Sequence, residues 1–365
     1  MLRESHYLIR YLMRFILLPY CYLFQVNWRV CKKSRIAVAV DFLYIFFVLR
    51  NYPDNYGACR LWEVPREEWA KYFGSNYNPF QRAVLRRSVH PFVLERAFQD
   101  KEVCDGICRK MGLPVPEQVG VISPSTGASS AIREMLSTTL SGRLIIKPVN
   151  GHAGLGVALA SWDNGRPVIR VGGRSMSLDE YTPPERCLVQ KVLPQHQDVA
   201  VVAPSSMNTL RLLTMMLPDE RVIIVGASMR FGVGDSFIDN WSAGGVAVGV
   251  DHREGTLMAH GFDKRGNIYL EHPVSGVRFA GFRLTQWSAA IDLGVRVQEA
   301  FPFFKLLGMD IGFTPDGPVL IEINNDADLV FQEQTSGPLL AARETWEAFR
   351  EYALLYNAPQ RRIFT

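Results

Sequence analysis

The stretch that decides the reading is Leu144–Ala160, LIIKPVNGHAGLGVALA. An apolar run leads to Lys147. A glycine-rich loop follows, carrying Gly151, Gly154 and Gly156, and then a second apolar run. This is not a Walker A loop, because no Gly-Lys-Ser/Thr follows. It is not the dinucleotide fingerprint either. That motif opens a helix, whereas VALA reads as a strand. The stretch predicts a strand–glycine loop–strand hairpin with a lysine on the incoming strand. Such a hairpin can fold over a triphosphate, because glycine permits close approach and the backbone N–H groups can point at phosphate oxygens. Alone, the pattern serves equally well as an ordinary surface hairpin.

Farther along stands GMDIGFTPDGPVLIEINNDADL, residues 308–329. Asp310 lies on one predicted strand, and PDGP marks a turn. Glu322 and Asn324 lie on the return strand two positions apart, so they share a face. Two carboxylates and an amide oxygen are hard ligands, suited to Mg²⁺, or to Mn²⁺ in its place, beside nucleotide phosphates. Asp310 joins that face if it pairs opposite Asn324, with Gly312 opposite Glu322, which demands an odd-length hairpin loop. Ile321 and Ile323 alternate with the polar pair and are expected in the core. A surface strand with solvated charges leaves that alternation unexplained.

The 365 residues are 48% hydrophobic and 21% charged, enough for two or three packed subdomains. The net charge of +4 is too mild to point to nucleic acid. The six cysteines are scattered without zinc spacing and read as reduced thiols of a cytoplasmic protein. Two apolar segments, Tyr7–Val26 and Ile36–Leu49, are interrupted by Arg10, Arg14 and Asp41. Neither reaches the roughly 20 uncharged residues of a spanning helix. They read as a helix pair buried against the body or, alternatively, lying peripherally on the cytoplasmic face of a membrane. The chain is mainly helical to about residue 97, VPREEWAKYFG included. A helix stopping at Gly112 follows, then short strands from about 143 to 324. GASSAIREMLSTTL and WSAAIDLGVRVQEAFPFF read as helices between them, and one more spans about 337–356.

In this order the pieces resemble the ATP-grasp fold over roughly residues 98–335. The resemblance implies an α+β architecture of two subdomains, 98–192 with the glycine hairpin and 193–335 with the metal ligands. The N-terminal helical region, 1–97, precedes them, and a C-terminal helix and tail, 336–365, follow. It implies that Lys101 and Lys147 meet ATP phosphates beneath a lid of Gly151, His152, Gly154 and Gly156. LVQKVL resembles the inter-subdomain hinge. There Gln190 would face the adenine amino group, and the backbone of Lys191, Val192 and Leu193 would reach its ring edge. Gln190 stands where the family usually has Glu, and His152 stands where its lid usually has a lysine. The ribose residue falls on Gln197 or Asp198. Arg211 or Arg230 would stabilise charge on the transferring phosphoryl group or the acylphosphate, Asn240 would supply an oxyanion contact, and Asp310, Glu322 and Asn324 would hold Mg²⁺. More narrowly, NTLR, DNWSAGG and VLRNYPDNYGACRLWEV resemble the sugar-transfer-associated group, which is linked to polysaccharide biosynthesis.

The implied activity is ATP-dependent ligation. A substrate carboxylate attacks the γ-phosphorus, and an amine, or an acceptor on a sugar-linked substrate, then displaces phosphate. The alternatives are a grasp-fold kinase that stops at phosphorylation and a membrane-docked glycan-assembly scaffold with a relict nucleotide site. Nucleic acid is not expected as a partner.

Overall fold

The computed structural model describes residues 12–365 except 14, 75–84, 86–87, 126, 152–153, 235–236, 238–240 and 242–243. Two antiparallel sheets dominate. The smaller has six strands: β1 (Gln118–Ile122), β2 (Arg143–Pro148), β3 (Ala158–Asp163), β4 (Arg166–Val171), β5 (Arg174–Ser177) and β6 (Cys187–Lys191), in the order β1-β6-β2-β3-β4-β5. The glycine stretch forms the expected hairpin, with Leu144 opposite Ala160 and Ile146 opposite Ala158. Strands β4 and β5, unforeseen in the sequence, are joined through Gly172 and Gly173, both at positive φ, as a tight hairpin turn requires.

The larger sheet has seven strands: β7 (Thr209–Met216), β8 (Val222–Phe231), β9 (Val246–Asp251), β10 (Thr256–Phe262), β11 (Ile268–Tyr269), β12 (Leu306–Thr314) and β13 (Gly317–Asn324). Their order is β11-β10-β9-β8-β7-β12-β13. β12 is the sheet's most hidden strand, with every residue buried, and it runs between β7 and β13.

Helix α1 (Lys101–Lys110) starts where Asp100 caps it, its carboxylate accepting the N–H groups of Glu102 and Val103. Helix α2 (Ala128–Thr138) packs on the small sheet. Helix α3 (Trp287–Ala300) packs on the large one. Phe98, Cys108 and Leu113 join the core of the large sheet. Residues 98–113 thus pack on the large sheet while Lys101, Glu102 and Asp105 also bond to Gly151, Arg186 and Gln190 of the small-sheet subdomain.

Two helical expectations need correction. VPREEWAKYFG forms only a short 3₁₀ stretch, Arg66–Lys71, with Tyr72 extended. The N–H groups of Phe73 and Gly74 are drawn instead to Glu333. The helix expected over about 337–356 is shorter, α5 (Arg343–Glu351), preceded by a 3₁₀ turn at Leu339–Ala341, and a separate helix not foreseen, α4 (Leu329–Ser336), comes before the break. The break is Gly337–Pro338, where glycine takes φ 87° and proline cannot continue the ladder.

The N-terminal region has its own core around Phe42, Phe46, Tyr56 and Trp69. Its charged interruption, Asp41, is buried and paired with Lys33 at 2.8 Å and Arg66 at 2.5 Å, and it also accepts the Tyr56 hydroxyl at 2.7 Å. The region is fastened to the main body by Asn357 donating to the Leu49 carbonyl at 2.7 Å and by Arg60 donating to the Gly266 carbonyl at 3.0 Å.

Candidate active site

A cavity of about 350 Å³ opens between the two sheets, within the range of small-molecule sites. Its floor comes from β7, β12 and β13, side by side. Asp310 pairs across β12 with Arg211 on one side and with Glu322 on the other. Directly opposed residues in a sheet share a face, so all three side chains point into the cavity.

The register differs from the expected one, and for a definable reason. The hairpin loop has two residues, with Thr314 opposite Gly317. An unbroken ladder from that even loop would set Asp310 against Ile321. Instead Ile311 pairs with Leu320 and Asp310 with Glu322, leaving Ile321 as the extra residue of a β-bulge. The bulge, not an odd loop, brings Glu322 onto the face of Asp310, and Asn324 stands opposite Gly308. It also separates the two isoleucines, both expected in the core. Leu320 and Ile323 go to the core, while Ile321 lines the cavity, with room made by Gly312 beneath it.

Asp310 is buried and tightly held. Its carboxylate meets Arg211 Nε at 2.5 Å and Nη2 at 3.1 Å, and Arg230 Nη2 at 3.0 Å. Thr209 accepts from Arg230 at 2.6 Å. Burial alone would raise the Asp310 pKa, but the two guanidiniums outweigh it and hold the carboxyl below its usual range. Both arginines line the cavity, each paired to Asp310.

Lys101 ties the cavity's two sides together. Its ammonium donates to the Gly151 carbonyl of the glycine loop and lies 3.3 Å from Glu322. Lys147 projects from β2 into the same space. Desolvation lowers its pKa, opposed by the carboxylates of Glu322 and Asp105. Gly151, Gly154 and Leu155 line the roof. Gly156 stands back from the lining. It holds φ 74° and lies against Pro148, where an added Cβ would come 2.9 Å from Cγ.

Gln190, Lys191, Val192 and Leu193 form one wall. Gln190 is buried, its amide nitrogen donates to Asp105 at 2.9 Å, and its amide oxygen has no protein partner. The sequence reading missed Asp105. The signal was present, since Asp105 is one helical turn after Lys101 and so on its face. Asp198 is not brought into the lining. It accepts from Thr285 at 2.6 Å in the first turn of Gln197–Ala200, while Gln195, Ser205 and Ser206 line the cavity instead. His152 and Asn240 lie outside the described residues.

The donor set suits a hard cation. Among the described residues no cluster of three His, Cys, Asp or Glu occurs, and the oxygen-bearing side chains of β12 and β13 that line the cavity are Asp310, Glu322 and Asn324. The Asn324 amide nitrogen is buried with no hydrogen-bond partner. Turning that amide by half a turn places an oxygen there, a metal-ligand atom beside Glu322. The orphaned Gln190 oxygen likewise suits an amino donor such as the one on adenine.

Residues 81–346 match the family described as sugar-transfer associated ATP-grasp. No curated protein matches the chain. Solved structures with similar folds include three representative chains. The RimK domain protein ATP-grasp from Sphaerobacter thermophilus is 14% identical with a TM-score of 0.39, covering 70% of this chain and 70% of its own. D-alanyl-alanine synthetase A from Vibrio cholerae is 12% identical with a TM-score of 0.41, covering 71% of this chain and 63% of its own. N5-carboxyaminoimidazole ribonucleotide synthetase from Thermotoga maritima is 13% identical with a TM-score of 0.37, covering 67% and 47%. The chain thus spans about half the length of that last relative. The family match extends over both sheets and the cavity between them, and the chain belongs to the sugar-transfer associated ATP-grasp family, with the ATP-grasp fold.

Proposed function

We propose that this protein is a Mg·ATP-dependent ligase that activates a small-molecule carboxylate and joins it to an amine or sugar-linked acceptor in surface polysaccharide or envelope biosynthesis. One observation carries the reading. The β13 bulge sets Asp310, Glu322 and Asn324 together on the cavity floor, facing a glycine hairpin, with Lys101 3.3 Å from Glu322 and Lys147 lining the same cavity. A cation held there supplies charge neutralisation beside the phosphates. The chain's own groups do the rest. Lys101 and Lys147 bind phosphate oxygens, and the glycine hairpin covers them. Arg211 and Arg230 are planar donors suited to the charge on the transferred group. The pocket needs no protein nucleophile, because positioning and electrostatics suffice for this chemistry.

Calorimetry tests the reading. Wild type is expected to bind ATP in a Mg²⁺-dependent manner, and Glu322→Gln to bind it about tenfold more weakly or worse. No binding by folded wild type would overturn the enzymatic reading. With a competent carboxylate and amine, free phosphate as product marks a ligase, whereas phosphate retained on the substrate marks a kinase.

Adenine selectivity gives a second expectation. Asp105 offers only acceptors to Gln190, which fixes the amide nitrogen toward Asp105 and leaves the oxygen for the base. Asp105→Asn can hydrogen-bond either end, so the preference for ATP over GTP should narrow by about tenfold. Competition binding measures this, and an unchanged ratio would remove Asp105 from the selectivity device.

A further inference from the structure

The N-terminal helices carry an apolar face that the body does not cover. In Arg35–Leu43 and its continuation Tyr44–Val48, the residues Val38, Phe42 and Ile45 are buried, as is Leu49 just beyond. The opposite face repeats the same helical spacing with Ile36, Val40, Leu43 and Phe47, all exposed, Ile36 at 79%. The preceding helical stretch adds Ile16, Tyr20, Leu23 and Phe24, with Ile16 at 71% and Phe24 at 72% exposed. Phe15 packs on both Phe46 and Phe47, with ring centroids 5.8 and 6.0 Å apart, which brings the two apolar rows together. A helix apolar on every side is normally enclosed. This one is enclosed on one side only.

The charge around the patch is one-sided. The loop between the two rows exposes Arg29 and Lys32, and Arg35 is exposed at the start of the second helix. The one acid in the described part of this segment, Asp41, is buried and already shared by Lys33 and Arg66. Among the described residues no helix is long and apolar enough to cross a membrane. Apolar rows rimmed by exposed cations, with tyrosine at the edge, match an anionic bilayer surface, into which such a face sinks without crossing. A protein partner of this size of apolar face would not require the one-sided charge.

We infer that the helix pair docks this protein on the surface of an anionic phospholipid membrane, with the Ile16–Phe24 and Ile36–Phe47 rows in the interfacial layer. The inference does not depend on the nucleotide reading. The full chain is mixed with vesicles of phosphatidylcholine alone or with one-third phosphatidylglycerol, and vesicle-bound protein is measured by flotation. Binding to the anionic vesicles is expected to exceed that to neutral ones by about tenfold and to weaken with salt. The double variant Phe24→Ser with Ile36→Ser should lose about tenfold or more in binding. Both positions are exposed, so an unchanged Tm confirms its fold. Absence of binding to either vesicle overturns the inference. So does a concentration-dependent dimer that the double variant abolishes without any vesicle binding, which would assign the face to a second copy of the chain. Equal binding of wild type and double variant to anionic vesicles would also overturn it.

Discussion

Asp310→Asn is expected to destabilise the protein by about 3–5 kcal/mol and to make ATP binding independent of Mg²⁺. The carboxylate is buried between two nearly buried guanidiniums, with Arg211 and Arg230 only 13% and 15% exposed. Removing its charge leaves two cations facing each other in a low-dielectric site. The same change removes one of the proposed metal ligands. Arg211 then loses its carboxylate partner and can take phosphate oxygens directly, so nucleotide binding should persist without metal. ATP should also restore part of the lost stability, because it supplies the missing negative charge. The sign with pH is fixed by the depressed pKa of Asp310. Its stabilisation is present above the ordinary carboxylate pKa and is lost as pH falls through the lower folded value. Denaturant unfolding with and without ATP, alongside calorimetry, measures all of this. An unchanged stability would show that the arginine pair does not need Asp310.

Glu333→Ala should be as costly in stability, about 3–6 kcal/mol, with no direct effect on the cavity. Glu333 lies in α4, buried, and its two oxygens accept three backbone N–H groups. Phe73 donates at 2.6 Å, Gly74 at 3.0 Å and Leu339 at 3.3 Å. It replaces the helical hydrogen bonds that the Arg66–Gly74 segment and the Gly337–Pro338 break give up. Alanine leaves those donors buried and unpaired. Burial pushes the carboxyl up to about 8, against the pull of the N–H donors. A raised carboxyl binds its proton more tightly folded than unfolded. Its contribution is therefore full below the ordinary glutamate value and disappears as pH rises through about 8. Wild-type stability should decline across that window, and the decline should be absent in Glu333→Gln. A parallel decline in the variant would assign the slope to other groups.

How much was legible differs between elements, and each difference has a cause. The glycine hairpin was readable because its turn chemistry and flanking apolar runs are local. The roles of Glu322 and Asn324 as neighbours on one face were readable because strand side chains alternate. Their partnership with Asp310 was anticipated, but by the wrong register. VLIEIN is uniformly strand-forming and carries no glycine or proline to announce a bulge at Ile321. The bulge is chosen by what lies on either side of the sheet. Leu320 and Ile323 fit the core, and Gly312 leaves space for Ile321 on the cavity face.

The arginines show the same division. The resemblance named Arg211 and Arg230 as candidates, but only the pairing of β7 with β8 and β12 places both on one carboxylate. Asp198 looked like a ribose contact by its distance from the hinge, yet a short helix turns it toward Thr285. Sequence distance carries no direction once a chain turns.

By itself the sequence determined the glycine hairpin, the two strands carrying Asp310 and Glu322, and the helix that stops before Gly112. These depend on spacing and composition within a few residues, where backbone sterics dominate. The tertiary structure decided the Asp310–Glu322 register, the double arginine pairing, the reach of Glu333 to Phe73 and Gly74, and which face of the N-terminal helices stays uncovered. Each of these is a competition between distant surfaces for the same side chain, and packing and desolvation across the whole fold settle it.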